Sequence, residues 1–525
     1  MKNSNRKNRL AMLVAFVWSF AGFAQITPAG LQQFISDDKD ISNAEIKYSS
    51  EVKEFYARLN YQTAWIQKEN KSSCDIFLGI LKQSAGLGLR EKDYQFNYIE
   101  SLRNSTVRFQ NTDDSLEADV RITDAAIHFY NDIAYGNTKP ALGYNGLKYV
   151  PGCRNIPALL ADYISKNLLQ LLITHLSPAL PEITAMENKI SWFLTVLNDS
   201  NFSEAIITSN KVTVTNKPLI SKLYQLGILD SFNKILPDST LKQKVKEAQR
   251  QFNLLNDGVL RTTIMQQLNV PMSERLQQLN LSVNYYRWLY CLIQNQSVIV
   301  VNIPAAYLKV YRNSEVMLEM RMIVGKKSTP TSTLASTVNE VILYPYWHVP
   351  YSIATKELLP AIKRNSGYID AGNYQVLNKA GKIVNPYSVN WHALSTKYFP
   401  YIIRQSTGCD NALGLLKLNF YNPFGIYLHD TPTKNLFMQN KRFFSHGCMR
   451  MEKPMELGHL VLKNNPIAID TLEQKGCLRN QAPIIVPADE HMPVIVWYNP
   501  AGIDSTGRVL FYEDVYGKFD WMRRK

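Results

Sequence analysis

Ser445-His446-Gly447-Cys448-Met449-Arg450 is the stretch from which the rest of the chain is read, and Tyr427-Leu428-His429-Asp430-Thr431-Pro432 is its upstream companion. Together they bring two histidines and a cysteine within 20 residues. A thiol attacks as its thiolate, so it needs a base, and the base needs a group that fixes its tautomer. Gly447, lacking a Cβ, lets the backbone beside Cys448 approach a substrate closely. Lys453-Pro454 then suits the first turn of a helix, expected over Met455 to Leu462. The N–H groups of Gly447 and Cys448 are expected to face a developing oxyanion. The same side chains leave other readings open. His429, His446 and Cys448 are all zinc-type ligands, although the two halves are far apart and no tight Cys/His pair completes the set. A lone cysteine is also an ordinary small buried hydrophobe.

Working outward, the apolar period around this stretch is two. Val298 to Ile303, Tyr307 to Tyr311 and Val316 to Val324 read as strands, with turns at Pro304, Asn313 and Gly325. Leu415 to Tyr421 and Gly425 to His429 return to strand character and deliver His429 at a strand end. Val494 to Tyr498 and Val509 to Tyr512, on either side of Ser505-Thr506-Gly507, read as a closing hairpin. Residues 351–400 are rich in Lys, Asn, Tyr and Pro and read as irregular; a long insert inside a compact domain is functional or disordered.

Upstream the period becomes helical. Glu51 to Leu59, Ala118 to Tyr135, Pro157 to Leu176 and Ala185 to Leu197 carry apolar residues at helix spacing. Residues 236–272 form a short unit in which Val245, Ala248, Phe252 and Leu255 share a helical face and Asp257-Gly258 turns. Glu274 to Leu292 reads as one helix with Leu276, Leu279, Val283, Tyr286 and Leu289 on one side.

These residues carry a resemblance. Ser-His-Gly-Cys followed by an apolar residue and Arg, after Tyr-Leu-His-Asp-Thr, is similar to the catalytic signature of the L,D-transpeptidases of YkuD type. Ile403-Arg404-Gln405, Asn411-Ala412-Leu413-Gly414, Lys417, Tyr421-Asn422-Pro423 and Trp347-His348-Val349-Pro350 resemble the large Gram-negative envelope subgroup, in which Arg stands at the position of Arg450. Thr407-Gly408-Cys409-Asp410 departs from it, since the family usually reads Pro-Gly there without a cysteine. Phe252-Asn253, Asp257-Gly258 and Leu268-Asn269 resemble a peptidoglycan-binding helical module, short of its usual Gln and Gly.

The resemblance implies a multidomain α+β chain. Residues 25–235 would be a helical scaffold domain, 236–272 the peptidoglycan-binding-like module, and 273–296 a connecting helix that rejoins the scaffold. Residues 297–475 would be the β-rich catalytic domain, with 351–400 capping it, and 476–525 a C-terminal hairpin segment. It also implies roles. Cys448 is the nucleophile. His429 is the base, oriented by the Asp430 carbonyl. His446 shapes the pocket or assists proton transfer, and Gly447 belongs to the catalytic turn. Arg450, Tyr427, Trp347, Ser445 and Asp430 serve the substrate, a peptidoglycan stem peptide, and no cofactor or metal is needed. The implied activity is transfer onto a second stem, giving a 3→3 cross-link, with carbapenem-type β-lactams as covalent inhibitors. Transfer to water by an L,D-carboxypeptidase or cysteine peptidase would use the same residues, and a non-catalytic wall-binding scaffold is a further alternative.

The address agrees. Lys2, Arg6, Lys7 and Arg9 precede an apolar run from Leu10 to Phe20, and Gly22-Phe23-Ala24 offers a small-residue cleavage site, so residues 1–24 read as a signal peptide leading to the periplasm. The run is short for a membrane span, so the rest is expected to be soluble or peripheral to the membrane. Across 525 residues the formal net charge is +14, and removal of four basic and no acidic residues with the leader leaves +10. That charge suits an envelope polymer bearing carboxylates. No dense Lys/Arg run interleaved with aromatics points to nucleic acid. Six cysteines, at 74, 153, 291, 409, 448 and 477, are widely spaced and define no pairing. If Cys448 stays free, at least one other thiol is unpaired too.

Overall fold

The computed structural model describes residues 26–37, 44–66, 71–104, 109–231 and 236–523. The signal-peptide expectation falls on 1–24, outside the described residues. The chain forms two compact units, one from residues 1–81, 92–129 and 156–172, the other from the remainder.

The first unit is helical, with Pro28–Ser36, Ser49–Arg58, Phe96–Arg103 and Ile156–Ser165 among its elements. Its core is apolar, built on Val52, Phe55, Phe77 and Phe129, and encloses one buried carboxylate. The fully buried Asp119 carboxylate accepts the N–H groups of Ala64 (2.9 Å), Trp65 (2.9 Å) and Ile66 (3.1 Å) and the Tyr56 hydroxyl (2.7 Å). A buried carboxylate is tolerated when its lone pairs are satisfied in this way, and here they tie down the turn after Ser49–Arg58. The expected helix over Pro157 to Leu176 is instead interrupted: Ile156–Ser165 ends at Lys166-Asn167, where Asn167 takes φ +56°, and a separate helix spans Leu172–Leu176.

The second unit contains a β-barrel with helices against part of its outer face. Its strands are β1 (Val298–Asn302), β2 (Tyr307–Arg312), β3 (Glu315–Gly325), β4 (Leu334–Leu343), β5 (Leu416–Phe420), β6 (Leu428–His429), β7 (Met449–Met451) and β8 (Pro493–Trp497). They pair in the order β4-β5-β6-β7-β3-β2-β1-β8, and β8 pairs back onto β4, which closes the sheet. Closure removes free edges. Ile299, Val301, Leu308 and Val310 fill the interior, while Val298, Val300 and Tyr311 pack outward with the helices. Burial of both faces accounts for the unbroken apolar run of β1, while β2 keeps a period of two through its half-buried Tyr307, Lys309 and Arg312.

The sequence expectation for β8 is corrected. Val494 to Tyr498 does not pair with Val509 to Tyr512; β8 runs parallel to β1 and antiparallel to β4, and the hairpin is Ala501–Ile503 with Val509–Phe511. Its apolar run admits no solvent face, as a barrel strand covered by Tyr285 and Tyr286 requires. Outside the barrel, Met272–Asn295 packs among Pro181–Leu197, Lys217–Gln225 and Asp238–Gln251 in one core. Buried Arg287 of that helix is paired with Glu187 at 2.8 Å. Leu255, placed with Val245, Ala248 and Phe252 on one face, is instead exposed because Asp238–Gln251 stops before it.

Residues 351–400 are ordered rather than irregular. Trp347–His348, Tyr374–Leu377, Ile383–Val384 and Ile402–Gln405 form a separate four-stranded antiparallel sheet, with helices at Tyr351–Ile353, Leu359–Arg364 and Tyr368–Ala371. Val349, Leu359, Ile362, Val376, Trp391 and Ile403 make its own core. Short strands and turn residues hid that core from periodicity. A disulfide joins Cys153 to Cys291 and another joins Cys409 to Cys477. Among the described residues, no helix is long and apolar enough to cross a membrane.

Candidate active site

The site is built by register. β6 and β7 run parallel, with Leu428 opposite Met449 and His429 opposite Arg450. Parallel neighbours need a long connection, and residues 430–448 supply it, so Cys448 arrives level with Tyr427. β5 runs antiparallel on the other side of β6 and sets Lys417 opposite His429. Leu416, Leu418, Leu428, Met449 and Met451 point into the barrel core. By alternation, Lys417, Tyr427, His429, Cys448 and Arg450 share the outer face.

The turn around Cys448 is held from below. The Ser445 hydroxyl donates to the Cys448 carbonyl at 2.5 Å, and Thr331 donates to the Gly447 carbonyl at 2.8 Å. Gly447 takes φ +119°, a backbone conformation that a side chain would strain. Its N–H donates to the Ser445 hydroxyl at 3.2 Å, so it does not face an oxyanion as expected. Of that pair of donors only the Cys448 N–H lacks a partner among the described residues. The helix after the turn is Pro454–Val461.

Cys448 is a free thiol, as is the buried Cys74 of the first unit. Burial raises the Cys448 pKa, while hydrogen bonds from the Tyr427 main chain and hydroxyl and the charges of Lys417 and Arg450 act to lower it. The Trp347 indole and the Cys448 thiol both act on the Tyr427 hydroxyl, which burial holds well above its ordinary pKa. Lys417 Nζ lies 4.1 Å from the Tyr427 ring centroid, and the Tyr427 and His429 rings meet edge-on at 5.6 Å.

His429 is buried, and its Nδ1 lies 2.5 Å from the Asp430 carbonyl. A carbonyl only accepts, so Nδ1 carries the proton and Nε2 keeps its lone pair. Burial, with Arg450, Lys417 and Lys434 nearby, pushes the imidazole down to about 3, so the ring is neutral. The Asp430 side chain accepts the Leu415 N–H at 2.9 Å and pairs with Lys434. Gly414, at φ +60°, allows this: a Cβ there would stand 2.2 Å from Asp430 Oδ2. This accounts for the glycine of Asn411-Ala412-Leu413-Gly414, and it makes Asp430 a support for His429.

Arg450 has no ion pair among the described residues, and its buried Nε has no hydrogen-bond partner. His446 is exposed, with Nε2 2.8 Å from Glu357 Oε1 and 3.3 Å from Lys326 Nζ. Glu357 belongs to the insert, which therefore reaches the turn that carries the thiol. Lys417 and Glu357 had no assigned role in the sequence reading. The alternation of Leu416–Phe420 across from His429 was the available signal for Lys417; Glu357 had none. His459, Asp470 and Glu473 are the metal-type side chains that converge within 4.8 Å among the described residues, and that cluster does not include His429, His446 or Cys448.

Residues 296–469 match the model of the L,D-transpeptidase catalytic domain, YkuD, and residues 50–189 match a scaffold domain. A Haemophilus influenzae protein named as an L,D-transpeptidase is 36% identical over 219 residues, which is 42% of this chain and 44% of that protein. The match thus spans less than half of that relative. Among solved structures, an L,D-transpeptidase from Stackebrandtia nassauensis aligns with 56% of this chain and 96% of its own, at 13% identity and TM-score 0.21. One from Mycobacterium smegmatis aligns with 38% and 58%, at 14% identity and TM-score 0.18. The chain carries an L,D-transpeptidase catalytic domain at 296–469, preceded at 50–189 by a scaffold domain.

Proposed function

We propose that this chain is a periplasmic L,D-transpeptidase that forms 3→3 peptidoglycan cross-links through a thioester on Cys448. The observation that supports this most is the thiol's setting. Four of six cysteines are paired, and Cys448 remains free between Tyr427 and two cations, one row from a neutral His429 whose tautomer is set by a main-chain carbonyl.

The His429 Nε2 takes the thiol proton. The thiolate attacks the carbonyl between the third residue of a stem tetrapeptide and its terminal D-Ala. The C–N bond breaks, the amine of D-Ala receives the proton, and a thioester forms. The side-chain amine of a second stem then attacks the thioester carbon; the C–S bond breaks, the new amide forms, and the proton the amine gives up passes by way of His429 Nε2 to the departing thiolate. Arg450 holds the D-Ala carboxylate, for which a guanidinium fork is suited. Tyr427 and Trp347 line the donor groove, and the Glu357–His446 pair joins the insert to the turn, where a lid would exclude water. The same thiolate would open the strained amide of a carbapenem. Export is supported by the amino-terminal pattern and by two disulfides, which persist in oxidising compartments.

Purified protein lacking residues 1–24, incubated with a disaccharide-tetrapeptide, should yield D-Ala and cross-linked dimer by mass. Tripeptide without dimer would reassign the acceptor to water. No loss of D-Ala would overturn the reading.

A further inference from the structure

His459, Asp470 and Glu473 converge outside the active site, and the thiol chemistry uses none of them. His459 Nε2 lies 3.5 Å from Asp470 Oδ1 and 3.6 Å from Glu473 Oε2, and the three ligand atoms fall within 4.8 Å of one another. Both separations exceed an ordinary N–H···O hydrogen bond of about 2.7–3.2 Å. Neither carboxylate has a Lys or Arg ion-pair partner among the described residues, so no basic side chain offsets their mutual repulsion. The backbone fixes this convergence. Gly458 lies against helix Ile467–Lys475, and a Cβ on it would stand 2.9 Å from Ile469 Cδ1 and 2.9 Å from Leu416 Cδ1. The missing side chain lets helix Pro454–Val461 pack closely there, and the next residues, His459 and Asp470, meet beside that contact. Ile469 and Leu472 anchor the second helix in the barrel core. Glu473 follows Asp470 by three residues, so both carboxylates share one face of that helix.

We propose that His459, Asp470 and Glu473 bind a divalent transition-metal ion of zinc type, with water in the remaining position. Bonds of about 2.0–2.2 Å from an imidazole nitrogen and carboxylate oxygens in a tetrahedron place the ligand atoms roughly 3.3–3.6 Å apart. The histidine already stands at that distance from both carboxylates. A nitrogen ligand beside two oxygens favours such an ion over Mg²⁺ or Ca²⁺, which take oxygen ligands. The metal would cross-link helix Pro454–Val461, which follows β7, to helix Ile467–Lys475, whose chain continues to Cys477 and its bridge to Cys409. With one position open to water the ion exchanges with solvent, so the clip forms and releases with the free metal concentration. The inference does not depend on the reaction assigned to Cys448.

The test uses tag-free protein lacking residues 1–24 and carrying Cys448→Ala, so that the active-site thiol takes no metal. The protein is stripped with chelator and titrated with Zn²⁺. Equilibrium dialysis with elemental analysis should show one saturable zinc per chain that excess Mg²⁺ or Ca²⁺ does not displace. His459→Gln and Asp470→Asn should each weaken binding by at least about tenfold, a loss that follows even from removing a group that only supports a ligand. Zn²⁺ should raise the melting temperature of the parent and not that of His459→Gln. All three side chains reach solvent, so the substitutions leave the packed core intact. If one variant does not fold, Glu473→Gln supplies the same comparison. Absence of saturable zinc, its displacement by Mg²⁺ or Ca²⁺, or equal affinity in the parent and the variants overturns the proposal.

Discussion

Replacing Tyr427 by Phe should raise the pKa of Cys448. The hydroxyl that bonds the thiol is removed, while the ring stays beneath Lys417 Nζ, 4.1 Å from its centroid, and beside His429. A hydrogen bond to a charged group contributes about 1.5–3 kcal/mol, and about 1.4 kcal/mol is one pKa unit, so the shift should be about one to two units upward. Burial already holds the thiol above its ordinary value, so at neutral pH it lies below its pKa and the thiolate fraction falls about 10- to 100-fold. A more basic thiolate is intrinsically more reactive, with a Brønsted slope of about 0.4–0.5, so the net slowing of alkylation should be about 4- to 12-fold. At a pH above both pKa values the order should reverse and the variant should react faster. Iodoacetamide labelling followed by intact mass across pH 5–11 measures this, and peptide mapping assigns the site. Cys74 is a built-in control, because burial pushes its thiol up to about 11. A pKa that is unchanged or lower in Tyr427→Phe would refute the proposed stabilisation of the thiolate by this hydroxyl.

Other outcomes follow from the same geometry. Lys417→Met should also raise the Cys448 pKa and slow neutral-pH alkylation, in the same labelling assay. His429→Ala should reduce kcat/KM by about 10²–10⁴-fold and by more than His446→Ala does, since His446 is exposed and pairs with Glu357; the opposite ordering would reassign the base. His429 is depressed to about 3 and His128 to about 4, so the unfolded chain binds more protons at these positions below about pH 6.5. Stability should therefore fall as pH drops from about 6.5 toward 3, and His429→Gln should flatten that melting profile. Removing the Cys409–Cys477 bridge, which closes a separation of 68 residues, should cost on the order of 4 kcal/mol of unfolding free energy in a denaturant titration, with Cys448 alkylation preserved in the folded variant. Glu357→Gln should leave alkylation by a small electrophile nearly unchanged while lowering peptide transfer.

What could be read in advance was whatever local chemistry determines. Val298–Asn302 is apolar almost throughout because both its faces are buried, Tyr307–Arg312 alternates buried with half-buried residues, and Met272–Asn295 carries a long helical period. The pairing of His429 Nδ1 with the Asp430 carbonyl is a contact between chain neighbours, so a motif can carry it. What escaped was non-local. β8 closes the barrel by pairing with β1 and β4, far away in the chain, and its all-apolar run gives no clue to its partner. The role of Lys417 depends on register with His429, and that of Glu357 on where the insert folds back. Gly447 was read as allowing close approach, whereas its φ of +119° is the stronger constraint. The two disulfides needed coordinates, since residues 153 and 291 come within a Cα–Cα distance of 5.5 Å only in the folded chain.

The most direct test of the central claim is intact-protein mass spectrometry of the wild type and Cys448→Ala during incubation with a stem tetrapeptide, with D-Ala measured in the same samples. The account predicts a transient adduct equal to the donor tripeptide unit on wild type, D-Ala released in step with it, and conversion to cross-linked dimer when acceptor is added. Neither adduct nor D-Ala should appear with Cys448→Ala. Undiminished D-Ala release by Cys448→Ala would contradict the account.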